Sequence, residues 1–198
     1  SILISMKKIL TSFLLAFSLF PFAAAAASPF VDIPEDFEFI NALTNLKSRS
    51  VIKGFPDQTF APEKGISRAE FLKIVLVASG VKPKTAGEIS FTDVGKDDWF
   101  YQFVSDGKAL GLIKGFDDNT FRPQQGVTRA EALKMMCAAY AVKPDFHDGA
   151  MPSDVPADAW FVSYVGAARE KWIMTVYDTG LFLPQAQLTR AAAAEILY

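Results

Sequence analysis

The chain has 198 residues with 20 Lys and Arg against 22 Asp and Glu, a near-neutral balance that excludes the basic face of a nucleic-acid binder. Its single cysteine, Cys137, excludes an intrachain disulfide, and its single histidine, His147, leaves little room for metal or nucleophilic chemistry. Hydrophobic residues make up 51% of the chain, enough to bury a core without covalent staples.

At the start, Lys7 and Lys8 precede an apolar run from Ile9 to Phe22 and then the small residues Ala23 to Ala27. This is the layout of a secretory signal over 1–27, with the initiator at Met6 and cleavage after Ala25 or Ala27. A retained membrane anchor is the weaker reading, because the apolar run is short and Pro21 breaks it. No membrane span is expected once the signal is removed.

Three units follow. They open on Phe30-Val31-Asp32-Ile33, Phe91-Thr92-Asp93-Val94 and Ser153-Asp154-Val155. Each opening leads through a turn to Glu38-Phe39, Trp99-Phe100 or Trp160-Phe161, and then to an amphipathic helix. Phe100, Phe103, Val104, Leu110 and Ile113 form the apolar set in the second unit, and Gly111 marks the helix end. The third unit offers Phe161, Tyr164, Val165, Ala168, Trp172 and Ile173.

A loop comes next, Gly54 to Pro62 in unit one and Gly115 to Pro123 in unit two. The glycines are expected to supply positive φ, and the paired phenylalanines, Phe55 with Phe60 and Phe116 with Phe121, to plug the loop into the core. Asp117-Asp118-Asn119 has Thr128 rather than a carboxylate at the twelfth position, so it reads as a turn and not a calcium loop.

Each unit then starts a second helix: Ser67-Arg68-Ala69-Glu70, Thr128-Arg129-Ala130-Glu131 and Thr189-Arg190-Ala191-Ala192. The three arginines stand 61 residues apart, and this offset aligns the units without insertion. Ser67 with Glu70 and Thr128 with Glu131 spell a capping box. Ile66 and Val127 take the staple position before it. The following run, with Phe71, Leu72, Ile74, Val75 and Val77 in unit one, is apolar nearly all round, as in an interior helix. An arginine in the first turn opposes the helix macrodipole, so an anion is expected to meet it, either a carboxylate of the chain or one of a ligand.

These motifs resemble S-layer homology domains: Phe91-Thr92-Asp93-Val94, Trp99, the Gly115 to Pro123 loop and the Thr128 helix start, repeated at one spacing. The resemblance implies an all-α fold, with three tandem helix-loop-helix repeats forming a pseudo-threefold trimer around a central three-helix bundle. The repeats fall at 28–87, 88–149 and 150–198, the last expected to be clipped at its C-terminus. It also implies a secreted, cell-surface anchoring module that binds a secondary cell-wall polysaccharide, often pyruvylated, in grooves between repeats. The residues carried over are Arg68, Arg129 and Arg190; Asp32, Asp93 and Asp154; Gly54 and Gly115; and Trp99 and Trp160.

The chemistry is sound in its own right. Arg takes a carboxylate in a planar fork, and free N–H groups at the same helix start would add to the positive end. Each arginine can equally pair with an opening aspartate inside the fold, and the tryptophans read first as core residues and second as sugar platforms. Repeat three departs from the pattern, with Val176 for the loop glycine and Ala192 for the capping glutamate, so a groove built mainly from repeats one and two is the preferred site.

No enzyme is expected. His147 lies between repeats two and three, Cys137 sits on an apolar helix face, and no zinc spacing or cofactor motif is present in the sequence. Two other readings stay open: a protein–protein module of a surface array that contacts neighbouring surface-layer proteins, its arginines being internal salt bridges, and a direct peptidoglycan binder.

Overall fold

The computed structural model describes residues 28–85, 87–144, 150–171, 173–174 and 179–198. The expected signal, His147, Trp172 and Val176 lie outside the described residues. Six helices are present among the latter, two in each repeat: α1 (Ile40–Ser48), α2 (Arg68–Ser79), α3 (Tyr101–Ala109), α4 (Arg129–Ala139), α5 (Val162–Glu170) and α6 (Arg190–Glu195). Extended pairing among them is confined to isolated bridges, so the fold is all-α.

The second helix of each repeat starts where the capping residues dictate. Ser67 and Thr128 accept from the N–H of Glu70 and Glu131, whose carboxylates return to the cap N–H at 2.9 Å in both repeats. Thr189 caps α6 alone, since Ala192 has no carboxylate to return. At the other end, α2 stops at Gly80, which adopts φ of 66° and donates to the Leu76 carbonyl. The first helices end similarly. Gly111 takes φ of 73° after α3, as expected, and Ser50 takes 58° at the corresponding place after α1.

The core is built from both helix types and the loops between them. Leu43, Leu46, Phe71, Leu72, Leu112 and Leu133 are fully buried, together with Phe60, Phe121 and Phe182 from the loops. In the expected apolar sets, Phe100, Val104 and Ile113 are buried, while Phe103 and Leu110 pack at the margin. Leu76 faces the core in place of Val77, which is exposed. Only one phenylalanine of each loop pair plugs the core; Phe55 and Phe116 are half-buried.

The helices pack across repeats in a consistent order: α2 on α3, α4 on α5 and α6 on α1. The second helix of each repeat therefore rests on the first helix of the next, and the last repeat rests on the first. Of the expected central bundle, α2 against α4 is a direct packing contact. Residues just before the helix caps close the ring. Val127 N–H donates to the Ile66 carbonyl at 3.1 Å, Leu188 to Val127 at 3.0 Å and Ile66 to Leu188 at 3.0 Å. All three residues are buried.

Cys137 is buried on α4, as its sequence neighbourhood suggests, and burial pushes its thiol up to about 11. The thiol therefore stays protonated at neutral pH. Labelling by iodoacetamide at pH 8 is expected to run roughly two orders of magnitude slower than for a free cysteine, and to become rapid in denaturant. Mass spectrometry of quenched samples checks this; fast labelling of the native protein would show that α4 opens.

Candidate functional site

The three opening aspartates do the same job in each repeat. Asp93 accepts from the backbone N–H groups of Phe121 and Arg122 at 2.8 and 2.7 Å, one on each oxygen. Asp32 holds Phe60 and Ala61 in the same way, and Asp154 holds Phe182 and Leu183. The second residue of each pair has positive φ: 54° at Ala61, 58° at Arg122 and 55° at Leu183. None of these is glycine, so the conformation is costly and must be imposed. A carboxylate gripping two successive N–H groups imposes it.

The arginines seize the other side of the same phenylalanines. Arg68 Nε donates to the Phe121 carbonyl at 3.0 Å, Arg129 to Phe182 at 2.7 Å and Arg190 to Phe60 at 2.8 Å. Each therefore reaches into the following repeat, with repeat three reaching round to repeat one. The guanidinium also lies over the ring of that phenylalanine, at 5.1, 4.9 and 4.6 Å from its centre. Arg68 and Arg129 are only 5% and 6% exposed.

At Arg68 and Arg190 the carboxylate in reach is a capping glutamate and not the opening aspartate. Arg68 Nη1 lies 2.8 Å from Glu131, and Arg190 Nη1 lies 3.8 Å from Glu70. The capping glutamates thus serve their own helix start with one oxygen and a neighbour's arginine with the other. Burial pulls the Arg68 and Arg190 guanidiniums below the usual arginine range, with Glu131 and Glu70 working against it.

The expected free N–H groups at the helix starts are not free. Arg68 and Ala69 donate to the carbonyls of Gln125 and Pro123, Arg129 and Ala130 to Ala186 and Pro184, and Arg190 and Ala191 to Lys64 and Pro62. The next repeat's loop has taken the place that an anion would occupy.

Gly54 and Gly115 have a packing reason. A Cβ on Gly115 would stand 2.1 Å from Cε1 of Phe91, and one on Gly54 would stand 2.7 Å from Cε1 of Phe30. Gly115 also has φ of 86°, whereas the positive φ in the Gly54 loop falls on Gln58 and Ala61. The glycines let the opening phenylalanine slide beneath the loop.

Trp99 and Trp160 are not core residues. They are 53% and 55% exposed, standing edge-on to Phe100 and Phe161. Each forms one wall of a groove.

The first groove, about 220 Å3, has its floor in repeat one, with Lys53 and Lys73 on it; Arg190 arrives from repeat three and Trp99 from repeat two. The second, about 230 Å3, has Lys114 and Lys134 from repeat two, Arg68 from repeat one and Trp160 from repeat three. Each groove thus draws on all three repeats rather than mainly on two. In each, three cations face one carboxylate, Glu70 or Glu131. Lys73 and Lys134 lie 5.5 and 5.9 Å from the centre of the tryptophan ring. Partial burial, and then repulsion from Lys114 and Arg68, lower the Lys134 amine below the usual lysine range.

Lys53, Lys73, Lys114 and Lys134 were not singled out from sequence, although all four obey the 61-residue offset. Lys73 and Lys134 sit three residues after the capping glutamates, which places them on the same helix face. At the corresponding positions for the third groove the sequence has Glu195 for the lysine and Glu38 for the tryptophan. Among the described residues no cluster of three metal-binding side chains is found, and no helix is long and apolar enough to cross a membrane.

A sequence profile described as "S-layer homology domain" matches the chain three times, at 29–72, 90–133 and 153–194. The chain is 33% identical over 145 residues to a "Surface layer protein" of Brevibacillus choshinensis, a match taking in 70% of this chain and 13% of that protein. It is 29% identical over 137 residues to a "Cellulosome-anchoring protein" of Acetivibrio thermocellus, covering 66% and 30%. A third match, 30% identical over 159 residues, is to an "Amylopullulanase" of Thermoanaerobacterium thermosulfurigenes, covering 77% and 8%. The chain therefore spans less than a third of each of these relatives.

Proposed function

The chain belongs to the S-layer homology family, with a match in each repeat, and from that premise we propose that it anchors non-covalently at the cell surface by holding an anionic wall polysaccharide in its two cationic grooves. The observation that carries this is the pairing, in both grooves, of a lysine–arginine cluster with a half-exposed tryptophan. A sugar bearing a carboxylate, such as a pyruvate ketal, has one anionic edge and one apolar face. The lysines meet the first as mobile point charges. The indole meets the second.

The arginines contribute positive field from below, their Nε donors being committed to the fold. Two such sites on one polymer raise avidity without either being tight. The relatives fit this reading. They include surface-layer and anchoring proteins, and the enzymes among them are far longer than this chain. We read the chain as an anchoring module, not a catalyst.

The test is co-sedimentation with purified wall sacculi, before and after acid extraction of the secondary polymer. Lys73→Ala/Lys134→Ala is expected to weaken binding at least tenfold, and Trp99→Ala/Trp160→Ala likewise, with melting temperatures within a few degrees of the parent. Binding should also fall as salt is raised. Unchanged binding by the lysine variant would overturn the groove reading. Binding that survives extraction would point to peptidoglycan. An array module is the competing reading, favoured by the arginines' internal bonds, and it predicts no sedimentation at all.

A further inference from the structure

We infer that the groove beside Trp99 is one half of a longer site, and that the other half takes the neutral sugar next along the same polysaccharide. This inference rests on the groove reading above.

A polar depression of about 350 Å3 shares Ile66, Glu70 and Trp99 with the first groove. Its chemistry is different. Gln124, Gln187 and Ser67 line it, with one lysine, Lys64, and one carboxylate, Glu70, which also faces Arg190. Primary amides and a hydroxyl offer both donors and acceptors without net charge, which suits a polyhydroxylated ring and not an anion. Trp99 supplies an apolar wall to both depressions, so a chain held in one is delivered to the other.

The depression exists because two of its residues are glycine. Gly65 pairs with Thr189, and Gly126 with Ser67, through isolated bridges. Both lie at the place where the three repeats meet. The third residue at this 61-residue offset is Gln187. Its side chain lies across Gly126, where a Cβ would stand 2.5 Å from Oε1. Bare backbone thus makes room for the glutamine amide and leaves space above it.

The same offset gives the corresponding place beside Trp160 a different lining. Around Trp160, the place of Gly126 is taken by Gln187 and that of Lys64 by Gln125. The two glycines and the glutamine where the repeats meet are the same three residues on both sides, but the glutamine changes place. Lys64 also joins the two halves on the Trp99 side, its ammonium lying 4.9 Å from the centre of the Phe55 ring in the groove.

Calorimetry with two probes tests this: a methyl hexoside carrying a pyruvate ketal, and size-fractionated oligosaccharides of at least four sugars from the wall polymer. Two variants at the exposed loop residue Gln124, which lines the extension and not the groove, serve: Gln124→Ala, which strips its amide, and Gln124→Trp, which fills the space. Each is expected to bind the oligosaccharide about tenfold more weakly and the single sugar unchanged. Equal binding of the oligosaccharide by parent and both variants, or equal loss for both probes, overturns the extension while leaving the groove reading intact. A parent protein that binds neither probe overturns both.

Discussion

Arg68→Ala is expected to lower the free energy of unfolding by about 4 kcal/mol, the largest effect of any single change in a groove. The substitution removes more than one bond. It strands the Phe121 carbonyl, which accepts from Nε at 3.0 Å, and it leaves Glu131 without the cation 2.8 Å away. It also empties the space over the Phe116 and Phe121 rings. Arg68→Lys should recover little, because an ammonium cannot serve a carbonyl and a carboxylate in the fixed fork that a guanidinium provides. Arg190→Ala should cost less, since its carboxylate partner lies at 3.8 Å and the side chain is more open. Urea unfolding followed by fluorescence gives the ranking. A folded Arg68→Ala protein within 1 kcal/mol of the parent, but defective in binding, would make the guanidinium a ligand contact instead of a joint between repeats.

The second large effect is expected at the loop clamp. Asp93→Ala should cost about 3 kcal/mol, because two backbone N–H groups lose a charged acceptor and the one on Phe121 is shielded from water. The positive φ of Arg122 then has nothing to hold it. Asp93→Asn should retain roughly half of the stability lost by alanine, since one of its two terminal atoms is a donor that cannot accept. Because Arg68 grips the carbonyl of the same Phe121, the Asp93 and Arg68 losses should not add; a double-mutant cycle would show the coupling. Strict additivity would mean that the two side chains act on separate parts of the loop.

Much of this was legible beforehand, and the parts that were not share a cause. The helix starts were readable because a capping box is local: Ser67 and Glu70 are three residues apart and need nothing else. The repeat itself was readable because identical spacing is a property of the chain alone. What could not be read was which repeat completes which. An anion is expected at Arg68, an opening aspartate or a ligand's carboxylate; that Glu131 meets it follows from how the second repeat docks on the first.

Of the two readings of the tryptophans, core and sugar platform, residue type alone favours the first, and their exposure removes it. Their positions beside Phe100 and Phe161 put only one aromatic of each pair inside. The groove lysines were overlooked because a lysine on a helix ordinarily means a solvated face. Only the convergence of Lys53, Lys73 and Arg190 from distant segments reveals a cationic groove.

The ring of Ile66, Val127 and Leu188 has a bearing on the order in which this chain can become native. Repeat arrays that stack in a line can grow from any point, each unit resting on the one already formed. A closed ring cannot. The loop of repeat one receives its arginine from a residue 130 positions later, and α1 receives its packing partner from α6. Until Arg190 has been synthesised, the first unit lacks the contacts that complete it, however long ago it left the ribosome. Such late closure raises the contact order and delays final assembly. For a protein destined for the cell surface, that delay keeps the first repeat pliable until repeat three has been made.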